Sequence, residues 1–256
     1  MDLSIIIVSW NVRDLLEKCL SSIFNNVHNI NYEVFVVDND SIDETSKMVL
    51  EKFPRVNLIR SKKNLGFAGG NNLAIREAKG KYILLLNPDT EIIDGAMERM
   101  VKFMRSRPEV GIAGPKIFNP NKTLQPSVRR FPTIIDQLLI FLKFTHFLPN
   151  IGPLKRYFAT DFDYTQPNEV DQVMGAFFMV KREVFDKIGL LDEKFHLWFE
   201  EVDFCRRAKN AGYKIMYNSE AKIIHYGGQS FKQRMTLIKQ WLFFKSMVYY
   251  FWKNSK

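Results

Sequence analysis

The 256-residue chain is 46% hydrophobic with a net charge of +9, which fits an ordinary globular protein with an anionic partner and excludes a disordered or fibrous one. Its two cysteines, Cys19 and Cys205, form no CxxC pair, which argues against a disulfide scaffold or a cysteine zinc site and makes a reduced, cytoplasmic setting the expectation. No apolar run reaches the roughly 18 residues that a membrane-spanning helix needs.

Met1-Asp2-Leu3-Ser4 leads straight into Ile5-Ile6-Ile7-Val8, without a basic segment or a small-residue cleavage site. It therefore reads as a first strand rather than a signal peptide. The pattern then alternates. Helical spacing over Leu15–Phe24 precedes a strand at Glu33–Val37; Ser46–Phe53 is helical and Val56–Ile59 a short strand; Asn71–Ala78 is helical and Tyr82–Leu86 a strand. Alternating βα units predict an α/β fold, a mostly parallel central sheet flanked by helices. Polar residues follow three of these strands, at Ser9-Trp10-Asn11, Asp38-Asn39-Asp40-Ser41 and Asn87-Pro88-Asp89. Open α/β sheets bind ligands outside the carboxyl ends of their strands, so one crevice should collect all three.

From Pro115 to about Asn168 the pattern loosens around an apolar segment, Ile134–Leu148, flanked by Arg129, Arg130, Lys155 and Arg156. Order returns at Val170–Val180, and a helix is expected over Glu200–Ala211, closed by Gly212. Leu237–Trp252 is helical in period, with Leu237, Trp241, Phe244, Val248 and Phe251 on one stripe. After Glu220 there is no acid, only Lys222, Lys232, Arg234, Lys239, Lys245, Lys253 and Lys256 among aromatics. That helix either lies on an anionic membrane surface or packs on the domain or on a partner subunit, as in a homodimer. The simplest partition is a catalytic domain over 1–235 and a C-terminal amphipathic helix over 236–256. Within the domain, 1–114 forms one half, 115–168 an insertion and 169–235 the other half.

Several stretches carry chemistry, each with a plainer alternative. Asp38 could accept hydrogen bonds from a base or ribose, or close an Asx-turn. Asn64-Leu65-Gly66-Phe67-Ala68-Gly69-Gly70-Asn71-Asn72 leads into a helix, where glycines admit a ligand to the backbone and the helix start favours an anion. No Gly-Lys-Ser/Thr follows, so it is not a P-loop. Glu200, Glu201 and Asp203 sit in a first helical turn, which the helix dipole alone would explain, and Asp203 with Arg207 suits an i,i+4 ion pair. Glu201 is less explained: aromatic neighbours such as Trp198 would raise its pKa, as a general base near neutral pH requires. His225 leaves an apolar strand into Gly227-Gly228.

Taken together and in order, Ile5–Asn11, Val36–Asn39, Asn64–Asn72, Leu86–Asp89, Gly175-Ala176, Phe199–Asp203 and His225–Gly228 resemble the family 2 inverting glycosyltransferases of the GT-A fold, particularly the rhamnosyltransferase-like branch. The resemblance spans roughly residues 3–235. It implies a nucleotide-diphospho-sugar donor held by Ser9, Trp10, Asn11, Asp38, Asp40, Asn64, Phe67, Ala68, Gly69, Gly70, Asn71, Asn87 and Asp89. Asn87–Asp89 looks like the family's Asp-x-Asp metal motif with Asn first, which implies Mg²⁺ or Mn²⁺ held by Asp89, Asn87 and His225. Glu201 matches the catalytic base, where many relatives have Asp. Gly175, Ala176, Trp198 and Glu200 fall on the acceptor side. The implied acceptor is a glycan or a lipid-linked glycan, met in the cytoplasm or on the cytoplasmic face of the membrane.

Other classes fit less well. A sugar-phosphate nucleotidyltransferase would be expected to show a glycine-rich basic loop after the first strand, where this chain has Ser9-Trp10-Asn11-Val12. A nucleic-acid partner is not expected, since basic charge comes without zinc spacing, helix-turn-helix or RNA-binding aromatic motifs. A non-catalytic sugar-nucleotide-binding protein would have no need of Asp89, Glu201 and His225 together.

Overall fold

The computed structural model describes residues 1–93, 95–195, 198–227 and 236–255. Gly228, Lys232, Arg234 and Lys256, named above for their motif or charge, lie outside the described residues.

The first half follows the alternation: β1 (Leu3–Ser9), α1 (Arg13–Asn26), β2 (Tyr32–Asp38), α2 (Thr45–Lys52), β3 (Asn57–Arg60), α3 (Gly66–Glu77) and β4 (Tyr82–Leu86). Then come β5 (Thr90–Ile92), α4 (Ala96–Arg105), β6 (Val110–Phe118), β7 (Leu124–Gln125), β8 (Val128–Arg129), α5 (Ile134–Phe141), α6 (Phe144–Phe147) and α7 (Gly152–Tyr157). The chain closes with β9 (Asn168–Glu169), β10 (Gln172–Val173), β11 (Phe177–Lys181), α8 (Arg182–Ile188), α9 (Glu200–Asn210), β12 (Lys214–His225) and α10 (Thr236–Asn254).

Among the described residues the main sheet has ten strands, eight of them in the order β3-β2-β1-β4-β11-β6-β12-β5. It is parallel through β3-β2-β1-β4 and again between β6 and β12, while β11 runs antiparallel to both β4 and β6. β1 and β4 are covered on both faces, which is why they read as unbroken apolar runs rather than as alternations. Ile5, Ile7, Leu84 and Leu86 pack with Leu16, Leu20 and Met97 of α1 and α4, whereas Ile6, Ile83 and Leu85 meet Ala74 and Ile75 of α3 and Phe204 of α9. The result is three layers, helix–sheet–helix.

One boundary differs from the sequence reading in a way that matters. The α3 helix begins at Gly66, not Asn71, so Ala68, Gly69, Gly70 and Asn71 lie inside the helix and are buried. A Cβ on Gly70 would stand 2.8 Å from Val8 Cγ1, so this glycine lets α3 seat against β1. Asn71 Nδ2 donates to the Phe67 carbonyl at 2.9 Å, and Asn72 Nδ2 to the Leu191 carbonyl at 2.9 Å. Gly70, Asn71 and Asn72 thus have packing and hydrogen-bonding roles inside a helix, where the sequence suggests a loop before one.

The α10 helix is held on the domain by its inner face. Met247 and Tyr250 are buried, Tyr250 takes a hydrogen bond from Arg206 Nη1 at 3.0 Å, and Lys253 Nζ reaches Asp192 at 2.7 Å and Asp203 at 2.9 Å. Asp203 also makes the i,i+4 pair with Arg207, at 2.8 Å. Most of the stripe singled out in the sequence faces the other way, with Leu237 73% exposed and Trp241 64%, while Phe251 packs against the inner cluster.

Candidate active site

Strand pairing assembles the site. The Ser9↔Asp38 and Ile7↔Leu86 registers bring the ends of β1, β2 and β4 to one edge of the sheet. There, the loops after β1 and β2 lock onto each other. Asn11 Oδ1 accepts from Ile42 N at 2.8 Å, and Ser41 Oγ from Asn11 N at 3.0 Å. Asn11 and Asp40 both take left-handed backbone angles, φ 52° and 71°, which Asn and Asp tolerate best among non-glycine residues. Asp38 is buried, with Ser41 N donating to Oδ1 at 3.0 Å and Ser46 Oγ to Oδ2. The Ser41 bond spans three residues, one more than an Asx-turn, and each carboxylate oxygen keeps capacity for a further donor. Asn39 Oδ1 accepts from Leu65 N at 2.9 Å, tying in the stretch that holds Asn64.

Beyond β4 the antiparallel pairing of β5 with β12 sets His225 opposite Thr90, next to Asp89. Tyr226 N donates to the Asp89 carbonyl at 2.9 Å, closing the arrangement. Asp89 is 5% exposed and His225 6%, and His225 Nε2 lies 3.3 Å from Asp89 Oδ1. The other ring nitrogen, Nδ1, is 2.7 Å from Gln125 Oε1 on β7. The Gln125 amide donates from Nε2 to Asn119 Oδ1 at 2.8 Å, which leaves Oε1 to accept from the ring. Nδ1 therefore carries a proton, and in that neutral tautomer Nε2 would turn a lone pair towards the carboxylate. Within the described residues Nε2 has no hydrogen-bond donor or acceptor in proper geometry. Two lone-pair donors face to face in a buried place fit a divalent cation, with Gln125 as the outer partner that fixes the tautomer. No third His, Cys, Asp or Glu completes a metal cluster among the described residues. Asn87 is half-buried beside the pair, its backbone N donating to the Ala176 carbonyl at 3.0 Å.

A cavity of about 400 Å³ opens beside His225; Asp89, behind the ring, is not part of its lining. Of the residues singled out in the sequence, Phe67, Asn87, Gly175, Ala176, Trp198, Glu200, Glu201 and His225 line it. Ser9, Trp10, Asn11, Asp38, Asp40 and Asn64 stay on the neighbouring strand ends instead, outside that lining. Ser9 Oγ is buried there with no hydrogen-bond partner among the described residues.

The two glutamates enter the cavity from the start of α9. Trp198 and Phe199, just before it, hold left-handed angles of φ 61° and 68°. Bulky residues avoid this region, at a cost of roughly 1–3 kcal/mol each, so the surrounding packing must impose it. Phe243 of α10 supplies part of that packing, with its ring centroid 5.6 Å from both the Trp198 and the Phe199 rings. Glu201 is half-buried, and its Oε1 would stand 3.7 Å from a Cβ placed on Gly175. Glu200 is 3% exposed, with Oε2 lacking any hydrogen bond. Burial raises both carboxyls above their ordinary range, and the charge of Glu201 pushes Glu200 further.

A carboxyl raised in the folded state holds its proton where the unfolded chain has lost it. Stability therefore falls as pH climbs from the ordinary value of 4.5 through the raised one. Glu200→Gln removes that cost. It is expected to lift the thermal midpoint at pH 8 by about 2–4 °C, with the gain vanishing near pH 4. A midpoint that drops at pH 8 in differential scanning calorimetry would show that the Glu200 carboxylate is stabilising instead.

Gln125, Arg129, Gln137, Tyr157, Gln172 and Phe243 were not foreseen as site residues, although all but Gln125 line the cavity. Most come from the loosely patterned segment after Pro115, where basic residues around Arg129 were the only signal.

The model of "Glycosyl transferase family 2" matches residues 4–189. The chain belongs to this family. Among its curated relatives, the Mycobacterium tuberculosis N-acetylglucosaminyl-diphospho-decaprenol L-rhamnosyltransferase is 25% identical over 245 residues, covering 89% of this chain and 77% of that protein. Rhamnosyltransferase WbbL of Escherichia coli is 27% identical over 231 residues, covering 87% of this chain and 82% of that one. Two solved structures share the GT-A fold of this glycosyltransferase. GalNAc-T7 with UDP, GalNAc and Mn²⁺ superposes with a TM-score of 0.65 at 16% identity, over 88% of this chain and 44% of that one. The Pyrobaculum calidifontis mannosyltransferase PcManGT, in complex with GDP-Man and Mn²⁺, gives 0.62 at 18% identity, over 88% and 56%. The chain thus spans about half the length of each of these two structures.

Proposed function

We propose that this family 2 glycosyltransferase moves a hexosyl or rhamnosyl-type sugar from a nucleotide-diphospho-sugar to an acceptor hydroxyl, with inversion and with a divalent cation, Mg²⁺ or Mn²⁺. The observation that carries the reading is one cavity lined by Asn87, His225 and the two glutamates, with buried Asp89 3.3 Å behind the His225 ring. Asp89 and His225, with Asn87 beside them, would hold the cation, which when bound compensates charge on the leaving diphosphate. Both solved relatives contain Mn²⁺, which supports that assignment. The strand-end loops of residues 1–114 are the donor half, around Ser9, Asp38 and Asn64. Glu201 takes the proton from the acceptor hydroxyl as it attacks the anomeric carbon opposite the departing nucleoside diphosphate. Gly175 leaves the space in front of that carboxylate open. Proton NMR of the product should show the anomeric configuration opposite to the donor's; a retained configuration would rule out direct displacement.

The acceptor we assign is a glycan linked to a lipid diphosphate, the class named for the mycobacterial relative, reached from the cytoplasmic face of a membrane. Two neighbouring helices support a lipid surface. Phe141 of α5 packs on Phe244 of α10 at 5.4 Å between ring centroids, and outer residues of both helices are exposed, including Ile135 at 62% and Trp252 at 56%. Residues 137–160 and 236–255 contain no acid, but they do contain Lys143, Lys155, Arg156, Lys239, Lys245 and Lys253. An apolar face ringed by cations suits an anionic bilayer. None of the described helices is long and apolar enough to cross one. The purified protein should co-sediment with phosphatidylglycerol vesicles at low salt and release as salt rises. A concentration-dependent dimer that ignores vesicles would assign the face to a second copy instead.

A further inference from the structure

Arg129, at the end of β8, lines the same cavity as Glu201. Its Nη1 donates to the carbonyls of Pro126 at 3.1 Å and Val128 at 2.7 Å, and the guanidinium lies over the Phe158 ring, 5.0 Å from the centroid. Nε and Nη2 make no hydrogen bond with any described residue, and neither is sealed from open space. No described carboxylate comes within ion-pairing distance, whereas nearby Arg130 pairs with Asp161 at 3.0 Å and Arg156 with Asp136. Burial pulls the Arg129 guanidinium below its ordinary range. A partly buried cation without a counter-charge is costly, and two carbonyl bonds could be made by a neutral amide. The cavity glutamates do not offset it: their carboxyls are raised by burial, with no cation lowering them.

The surroundings indicate what the missing anion is attached to. Tyr157 stands between the two ends, bonded to Gln137 and acted on by the charges of both Arg129 and Glu201. Gln137 and Phe243 line the cavity from α5 and α10, the helices whose outer faces expose Ile134, Leu138, Trp241 and Phe244. A ligand that fills this space is polar beside Glu201, anionic at Arg129 and apolar beside Phe243, next to the exposed apolar faces of the two helices.

We propose that Arg129 is the anion-binding group of the acceptor end, its Nε and Nη2 taking the phosphate or diphosphate of an amphiphilic acceptor whose hydroxyl reaches Glu201. This rests on the glycosyl-transfer reading for the hydroxyl, but not for the anion. A forked guanidinium matches phosphate oxygens two at a time, which explains an arginine here.

Calorimetric titration of the full chain in EDTA tests it, with geranyl diphosphate, inorganic pyrophosphate and geraniol as probes. Geranyl diphosphate should bind most tightly, and Arg129→Gln should weaken it by about tenfold or more, the effect of losing a charge-assisted hydrogen bond. Arg130→Gln should change it less than about twofold, and geraniol binding should ignore both variants. Should Arg129→Gln prove unstable, Arg129→Lys decides: it keeps the cation and so should keep a preference for geranyl diphosphate over geraniol. Equal losses from Arg129→Gln and Arg130→Gln, a preference absent in Arg129→Lys, or no saturable binding would overturn the assignment. Pyrophosphate binding as tightly as geranyl diphosphate would make it a free-anion site and overturn the amphiphile. Nucleotide-sugar binding with Mn²⁺, measured alongside, should be unchanged in Arg129→Gln. Its absence from the wild type would instead fault the transferase reading and leave the anion titration standing.

Discussion

Replacing Glu201 with glutamine is expected to lower the transfer rate by ~10²–10⁴-fold, the usual contribution of a general base, while donor affinity stays at the wild-type level. Glutamine keeps the size and most of the hydrogen bonding of the side chain beside Gly175, so the loss isolates proton removal. Single-turnover kinetics with labelled donor separate the two quantities. The wild-type rate should rise with pH along an acid limb displaced above the ordinary carboxylate range, because burial raises both cavity glutamates. That limb belongs to the coupled pair and should move when Glu200 is replaced by glutamine. Near-wild-type turnover in Glu201→Gln would remove this residue from the mechanism.

The second large effect is expected at the other end of the cavity. Asp89→Ala should abolish metal-dependent donor binding, because it leaves His225 Nε2 facing no carboxylate. Asn87→Ala should only weaken it, since the backbone bond from Asn87 N to Ala176 survives the substitution. Isothermal titration of the nucleotide sugar with and without Mn²⁺ measures both. Equal losses from the two variants would contradict the ranking of Asp89 as the main ligand.

The parts of this molecule that could be read from sequence are those whose signal is local. Continuous apolar runs at Ile5–Val8 and Tyr82–Leu86 identify strands buried on both faces, and the polar residues after them mark the edge where the site forms. By contrast, β6 escaped notice because Gly111, Gly114 and Pro115 interrupt it. Glycine and proline normally weaken a strand. Here a Cβ on Gly111 would stand 2.7 Å from Tyr213 Cβ, and one on Gly114 would stand 2.7 Å from Val173 Cβ, so close packing demands what local propensity opposes. The same conflict hid that Gly70 lies inside a helix. His225 was found, and the resemblance set it beside Asp89, but its partner Gln125 was not foreseen. Its approach to Asp89 depends on β12–β5 pairing, and its orientation on Gln125, which is 100 residues away. No periodicity encodes either contact. The C-terminal helix shows a further limit: aromatics occupy both of its faces, and only the anchoring of Tyr250 and Lys253 reveals which one is turned inwards.

Thermal unfolding with a panel of nucleotide sugars, with and without Mn²⁺, on wild type and Asp89→Ala tests the central claim most directly. A ligand that binds only the folded chain raises its midpoint by mass action, by about 2.7 kcal/mol of stability at a hundredfold excess over Kd. The expected result is that at least one nucleotide sugar stabilises the wild type only when Mn²⁺ is present, and that Asp89→Ala loses the effect. Stabilisation that is independent of the metal, or that persists in Asp89→Ala, would contradict a donor site built on Asp89 and His225.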